Sequence, residues 1–403
     1  MIFELGRQWP LTAGPGQSRI TAMTDRLRCL GMALVLASPA IVHAAEDPVT
    51  VYVGTYTDGA SRGIHRASLD PASGKATKAV LAAEVKNPSF LALHPSGRFL
   101  YAVSELDELA GAKTGAVLAF AIDPKTGDLE LLNQQPSEGG APCHLVVDRG
   151  GRNVLVANYG GGTVAVLPIQ ADGRLKPASS VRTHEGQGPQ SSRQQRPHAH
   201  GIYLDAAERF AFAPDLGADR VFVYRFDAEK GTLTPHGAAT VEPGSGPRHL
   251  AFHPGGGHAY VINELDNTIS AFSYAAAKGE LSPIETVKTL PEGFTGTSYT
   301  AELEVSPDGR FLYGSNRGHD SLVVFRIDAA GGRLALAGHV PAGGAWPRHF
   351  TLAAGGRLLL AAHQRSGTVA VFRVDPANGM PSLIGAGLAV DRPACLLPVK
   401  TPR

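Results

Sequence analysis

The sequence predicts an all-β fold, a seven-bladed β-propeller of four-stranded blades, and three observations point to it. First, from about Val51 to Leu397 one pattern recurs seven times: an opening Pro with a short apolar run, a turn at Gly-Arg or a close variant, a second apolar run, and a Gly-containing closing turn. The openings stand at Pro88, Pro142, Pro197, Pro247, near Thr300, Pro347 and Pro393, and the closing turns carry Gly74, Gly127, Gly173, Gly231, Gly279, Gly332 and Gly379. A period of about fifty residues with several short strands per copy fits a propeller blade, because one copy alone cannot bury its faces. Second, the apolar runs have strand length, and no helix-length apolar stripe interrupts them. Third, the first copy lacks an inner strand and the last consists of little else, so the two ends should complete one blade together and close the ring.

The strands follow in order within each copy. In the fourth full copy Arg248 to His253 is the inner strand, His258 to Glu264 the second, Thr268 to Tyr274 the third and Leu281 to Thr289 the outer one. The third strand alternates most clearly, with β-branched or aromatic residues at strand spacing in Val164 to Leu167, Val221 to Phe226, Leu322 to Ile327 and Val369 to Val374. The terminal copies are Val49 to about Val85 and Pro393 to Val399.

Composition agrees. The chain has 48 Gly and 29 Pro in 403 residues, yet 43% of it is hydrophobic, which describes a turn-rich globular protein with a core. The formal charge of +1 and the absence of a long Lys/Arg run argue against a nucleic-acid partner. Residues 1–44 are a different text. Arg26 and Arg28 precede the apolar run from Leu30 to Val42, and Val42-His43-Ala44 supplies the small residues a signal peptidase reads. Cleavage after Ala44 is expected, giving a periplasmic or secreted protein without stable membrane insertion; Met23 as the true start would leave residues 1–22 as an upstream extension. The domain is then 45–403, a single propeller. Cys143 and Cys395 lie in blades that are not neighbours and read as two buried free thiols, with a disulfide as the alternative. No CxxC pair, HExxH, Walker loop, GxSxG or GxGxxG occurs, so any chemistry must be assembled from separate blades.

Propeller topology says where. Strands within a blade run antiparallel, so the start of the inner strand, the end of the second and the connection to the next blade share one face. Polar residues concentrate there: His198 and His200, Asp215, Arg248 and His249, Asn263 and Glu264, Glu302, Asn316 and Arg317, and Arg348 and His349. The two longest connections, Lys176 to Arg196 and Leu290 to Thr300, fall on the same face and are placed to wall a site. Two Arg, a Glu and a His suit a substrate that is anionic or becomes an oxyanion, with His as acid or base and Arg as oxyanion partner. Each also has a structural reading. Pro-Arg-His recurs at Pro247 and Pro347 with the repeat, Asp215 and Asp219 suit a turn, and His198 suits a satisfied channel histidine.

Several stretches carry a family resemblance: Pro197-His198-Ala199-His200, Asp215-Leu216-Gly217-Ala218-Asp219, Gly246-Pro247-Arg248-His249-Leu250, Val261-Ile262-Asn263-Glu264-Leu265, Ser306-Pro307-Asp308-Gly309-Arg310 and Ser315-Asn316-Arg317-Gly318-His319. With these the chain resembles the seven-bladed β-propeller lactonases, which include cycloisomerase-type 6-phosphogluconolactonases and carboxymuconate lactonising enzymes. The likeness runs from Val51-Tyr52-Val53-Gly54-Thr55-Tyr56 to the last blade. It implies a metal-independent site in which His200, Arg248, Glu264 and Arg317 match the catalytic His, Arg, Glu and Arg. His198, Asp215, His249, Asn263, Glu302, Asn316 and Arg348 are the candidate substrate-binding residues around them. Where the family often has Asn after the last Arg, this chain has His349, which weakens any role assigned there.

The expected function is hydrolysis of a sugar-acid lactone. His200 activates water or protonates the ring oxygen, Arg248 and Arg317 bind the carbonyl oxygen and any anionic substituent, and Glu264 orients them. An exported enzyme would meet unphosphorylated aldonolactones, whereas a cytosolic one would meet the phosphorylated lactone. The alternatives are a carboxymuconate-type lactonising cycloisomerase using the same residues, and a non-catalytic exported ligand-binding propeller. A metal-dependent site would borrow Asn263, Glu264, Glu302 and Asn316, but the adjacent Arg residues would repel a cation. No cofactor is expected, the partner is a small-molecule lactone, and a propeller of this size is expected to be a monomer.

Overall fold

The computed structural model describes residues 47–385 and 387–400, so the leader and cleavage site expected within residues 1–44 lie outside the described residues. Seven antiparallel sheets form the seven blades. Blade 1 comprises Leu91–Leu93, Phe99–Ser104, Ala116–Ile122 and Leu129–Pro136, from inner to outer strand, and blade 2 comprises Pro142–Val147, Asn153–Asn158, Thr163–Pro168 and Ser180–Thr183. Blade 3 is Tyr203–Leu204, Phe210–Asp215, Arg220–Asp227 and Thr232–Thr240; blade 4 is Pro247–Phe252, His258–Asn263, Thr268–Ala275 and Glu280–Lys288. Blade 5 is Tyr299–Val305, Phe311–Arg317, Ser321–Ile327 and Leu334–Pro341. Blade 6 is Pro347–Ala353, Leu358–His363 and Thr368–Val374, with its outer edge split into Pro381–Leu383 and Leu388–Ala389. Blade 7 joins the ends: Pro393–Lys400 is its inner strand, paired with Val49–Thr55, followed by Gly63–Leu69 and Val80–Glu84. The shared blade expected from the phase of the termini is therefore present.

The core lies between blades. Seven apolar clusters occur, and each joins residues of two neighbouring blades, such as Tyr101 and Val117 of blade 1 with Leu145 and Val156 of blade 2. Second strands such as Asn153–Asn158 and Leu358–His363 are buried at every position because both faces are covered, whereas outer strands such as Glu280–Lys288 are half exposed. The recurring closing glycines have a conformational reason. All seven adopt φ between 62° and 86°, the left-handed region that a side chain disfavours. In four cases the turn also takes a bond from the preceding blade: the hydroxyls of Tyr52, Tyr101, Tyr260 and Tyr313 donate to the carbonyls of Gly127, Gly173, Gly332 and Gly379 at 2.7, 3.0, 3.1 and 2.9 Å.

Inner strands depart from the sequence reading in one way. Those opening at Pro88 and Pro197 pair regularly only from Leu91 and Tyr203. In blades 2, 4, 5, 6 and 7 the start of the inner strand is bulged, so one extra residue stands against the second strand. Register breaks occur between Pro142 and His144, Pro247 and His249, Pro347 and His349, and Thr300 and Leu303. In blade 3 the isolated bridge of Ala199 to Asp215 precedes the pairing of Tyr203 with Phe212, which leaves the same excess of one residue around His200.

Candidate active site

The bulges aim the site. A β-bulge re-orients a side chain at a sheet edge, and the residues left over by the breaks are Cys143, Arg248, Arg348 and, in blade 3, His200. The second strands supply the other half, since Tyr159 and Glu264 directly follow Asn158 and Asn263, and Arg317 ends its strand. A cavity of ≈ 220 Å³ is lined by Glu105, Cys143, Tyr159, Arg193, His200, Glu264, Arg317 and Arg348. Six blades and one connection contribute, and the volume is below the ~300–1,000 Å³ of drug-sized ligand sites, so it suits a small polar molecule. A larger groove of ≈ 500 Å³ lies beside Arg66 and the Asp123–Gly127 turn, but Arg66 is paired with Asp128 at 2.8 Å and no buried acid or base converges there.

Glu264 is the centre. Its Oε2 lies 2.8 Å from Arg317 Nη2, 3.2 Å from Arg248 Nε and 3.9 Å from His200 Nε2, and its Oε1 accepts from Arg193 Nη2 at 2.7 Å. Burial pushes this carboxyl up, but the three guanidiniums outweigh burial and hold it at about 2, so it is ionised throughout the working range. Burial lowers Arg317 to about 10, against the pull of Glu264. Burial, helped by Arg248, His249 and Arg348, holds His200 well below the ordinary imidazole value of 6.5. Its Nδ1 lies 3.7 Å from Cys143 Sγ, whose thiol burial pushes far up, so Cys143 is an un-ionised wall residue. Cys143 and Cys395 are free and buried, as expected for blades that are not neighbours. On the other side of the ring Arg348 Nη2 donates to the Tyr56 hydroxyl at 2.5 Å, and that hydroxyl donates to Glu105 Oε2 at 2.8 Å.

All four candidate catalytic residues come together, with one correction. Arg248 is buried behind Glu264 and does not line the cavity; its Nη1 donates to the Ala301 carbonyl at 2.8 Å and to His249 Nε2 at 3.0 Å. Its contact with the site is through the Glu264 carboxylate, 3.2 Å from Arg248 Nε. Of the candidate binding residues, only Arg348 lines the cavity. His249 and Glu302 belong to a buried layer next along the inner strands, where Glu302 accepts from His249 Nδ1 at 2.8 Å and lies 3.3 Å from His349 Nε2. Arg248 Nη1 occupies His249 Nε2, which leaves the Nδ1–H of His249 to donate to Glu302 Oε1, while Leu396 N–H donates to His349 Nδ1.

The other four stand outside the cavity lining and bond within the fold. Asp215 accepts backbone N–H bonds from His198, Gly217 and Ala218 and pairs with His184 at 2.7 Å, so its oxygens are committed to the Asp215–Asp219 loop. That loop needs Gly217, because a Cβ there would collide with the Arg196 carbonyl. His198 stacks on Tyr159 with ring centroids 4.4 Å apart and donates to its carbonyl, bracing a cavity wall without joining it. Asn263 donates to Thr268 and Ser270, and Asn316 accepts from Thr289 and donates to Ser321. Sequence reasoning missed Tyr56, Glu105, Tyr159 and Arg193. The first three directly follow second strands, the position that gives Glu264, and that periodicity was the available signal. Arg193 sits in the Lys176 to Arg196 connection, outside any repeat, although that connection was expected to wall the site.

Comparison with known proteins gives the same fold and family. A family model described as "Lactonase, 7-bladed beta-propeller" matches residues 50–398. The chain is 37% identical over 345 residues to the 6-phosphogluconolactonase of Bacillus subtilis, covering 86% of this chain and 97% of that one. It is 35% identical over 336 residues to the 6-phosphogluconolactonase of Formosa agariphila, covering 82% and 93% respectively. Among solved structures, the periplasmic gluconolactonase of Pseudomonas aeruginosa superposes with a TM-score of 0.83 at 35% identity, covering 88% of this chain and all (100%) of that one. With the family model matching residues 50–398 and relatives above 30% identical over most of the chain, the chain belongs to the family of seven-bladed β-propeller lactonases.

Proposed function

We propose that the protein hydrolyses a sugar-acid lactone in this cavity, and the observation that carries the proposal is the uncharged His200 facing the fully ionised Glu264 amid guanidinium groups. His200 is neutral at working pH and takes the proton of an attacking water. As the water oxygen bonds to the lactone carbon, the carbonyl oxygen becomes an oxyanion, and Arg317 Nη1, which has no hydrogen-bond partner among the described residues, is left to bind it. Collapse breaks the ring C–O bond, and the proton held by His200 passes to the departing ring oxygen, giving the open-chain hydroxy acid. Glu264 holds Arg317 and Arg193 in place, and Arg248 holds Glu264.

The chemistry needs no metal in this reading. Three guanidiniums around Glu264 would repel a divalent cation, and among the described residues no group of three or more His, Cys, Asp or Glu is placed to hold one. Export through residues 1–44 is part of the same proposal, supported by similarity to a periplasmic gluconolactonase; among the described residues no helix is long and apolar enough to cross a membrane.

The test is a pH-stat assay of protein treated with a chelator, on glucono-δ-lactone and 6-phosphogluconolactone, with spontaneous hydrolysis subtracted. Turnover of either lactone, unchanged by the chelator, is expected. Folded protein that turns over neither would transfer the site to a cycloisomerase or a binding role, and turnover abolished by the chelator would overturn the metal-free mechanism.

A further inference from the structure

We infer that Trp346, the residue before the opening proline of blade 6, is a positioning residue for Arg317: its indole backs the guanidinium that is to receive the oxyanion. The inference rests on the lactonase reading above and adds a residue that does not itself line the cavity. Three features support it.

The first is the backbone. Trp346 has a φ of 66°, in the left-handed region that a bulky side chain disfavours. The residue before the opening proline is left-handed in blades 1, 2, 4 and 7 as well, where it is Asn87, Ala141, Gly246 and Arg392. The conformation therefore belongs to the repeat, and blade 6 alone among these puts an aromatic ring on it. Asp320, in the turn after Arg317, fixes the anchor of that ring. Its Oδ1 accepts from Trp346 N at 2.8 Å and from Gly318 N at 3.0 Å, so the segment after Arg317 and the backbone of Trp346 share one carboxylate oxygen.

The second is what the ring touches. The Arg317 guanidinium lies 5.5 Å from its centroid, the exposed Arg365 guanidinium 3.5 Å, and the Tyr299 ring centroid 6.3 Å, nearly edge-on. Tyr299 accepts from Arg317 Nε through its carbonyl at 3.4 Å and has the Arg193 guanidinium over its ring at 5.9 Å. Tyr299 and Trp346 together thus support Arg193 and Arg317, the two cavity arginines that bond to Glu264.

The third is how Arg317 is held otherwise. Its Nε and Nη2 are spent on the carbonyls of Tyr299 and Thr300 and on Glu264, and all of these bonds lie on one edge of the guanidinium. Bonds along one edge leave the group free to swing about that edge, which would carry Nη1 away from the lactone. An aromatic face resists the swing and favours the cation most where water is excluded, and Arg317 is buried. Because Nη1 meets an oxygen that gains charge during the reaction, misplacing it weakens binding of the transition state more than binding of the substrate.

The test measures kcat and KM for glucono-δ-lactone and 6-phosphogluconolactone with wild type, Trp346→Phe and Trp346→Leu, using thermal unfolding as the control for folding. Leucine keeps apolar bulk and loses the aromatic face. Trp346→Leu should therefore lower kcat by about tenfold while KM stays within about twofold, and Trp346→Phe should recover part of the loss. A role in stability alone would lower the unfolding temperature and leave kcat of the folded protein unchanged, and a role in holding substrate would raise KM instead; either overturns the inference. A second readout needs no turnover. In protein labelled with ¹⁵N-arginine, the Arg317 Nε–H signal, assigned by its loss in Arg317→Lys, should shift and exchange with water about tenfold faster in Trp346→Leu. The signal of Arg182, whose Nε donates to the Leu233 carbonyl at 2.7 Å, should stay where it is. An Arg317 signal unchanged in position and exchange would also overturn the inference. If wild type opens neither lactone, the hydrolytic reading fails while this signal still decides whether Trp346 holds Arg317. If Trp346→Leu does not fold, Trp346→Phe takes both readouts, and wild-type kcat with an unchanged Arg317 signal is then the contrary result.

Discussion

In the proposed mechanism His200 works by staying uncharged. Burial and the nearby Arg248, His249 and Arg348 all penalise imidazolium, so the folded value lies well below 6.5, while Glu264 at about 2 remains anionic. The sign of the pH dependence follows. A base that must be neutral is fully active above its folded pKa and is lost as pH falls through it, so below the Arg317 value of about 10 kcat/KM should stay level down through 6.5 and decline only at lower pH. A pH-rate profile that instead declines with a midpoint at or above 6.5 would show that another group limits the reaction. At this scale the sequence was partly legible. His200, Glu264 and Arg317 were readable because they sit at repeat positions with chemistry-bearing side chains. Arg248 was readable in place but not in role, because which side of Glu264 it occupies depends on its bonds to Ala301 and His249. Asp215 and His198 were over-read, since polar residues at a strand end can be spent on a loop or on a neighbouring ring.

Between residues and ring stand the blades, whose strands do two jobs. The bulge at the start of the inner strand turns Cys143, His200, Arg248 and Arg348 as they are, and a bulge leaves no mark in apolar alternation, so the inner strands of blades 1 and 3 were expected to begin too early. The closing glycines, by contrast, were fully legible, because a positive φ is a requirement that the amino acid itself records. What they receive was not: the tyrosine hydroxyls from the preceding blade connect residues 66 to 75 positions apart. These bonds should contribute measurably to blade docking. Tyr260→Phe leaves the Gly332 carbonyl without its donor and should destabilise the protein by about 1 kcal/mol in denaturant unfolding, with lactone turnover retained. Unchanged stability would mean that the interblade bond is isoenergetic with its absence.

Across the whole molecule, stability and function both depend on ring closure. Each apolar cluster belongs to two blades, so no blade has a core of its own, and Pro393–Lys400 against Val49–Thr55 supplies the contact that lets the first and last blades share theirs. That closure was legible from the phase of the repeat. The cavity was not, because it exists only where six blades and a non-repeating connection converge. The most direct test of the account is lactone turnover by wild type and by His200→Ala, measured side by side in a pH-stat with thermal unfolding as the control for folding. The account predicts that wild type opens the lactone above the spontaneous rate and that kcat falls by about 10²–10⁴-fold in a variant that still binds lactone and unfolds cooperatively. A folded His200→Ala protein with wild-type turnover would contradict it.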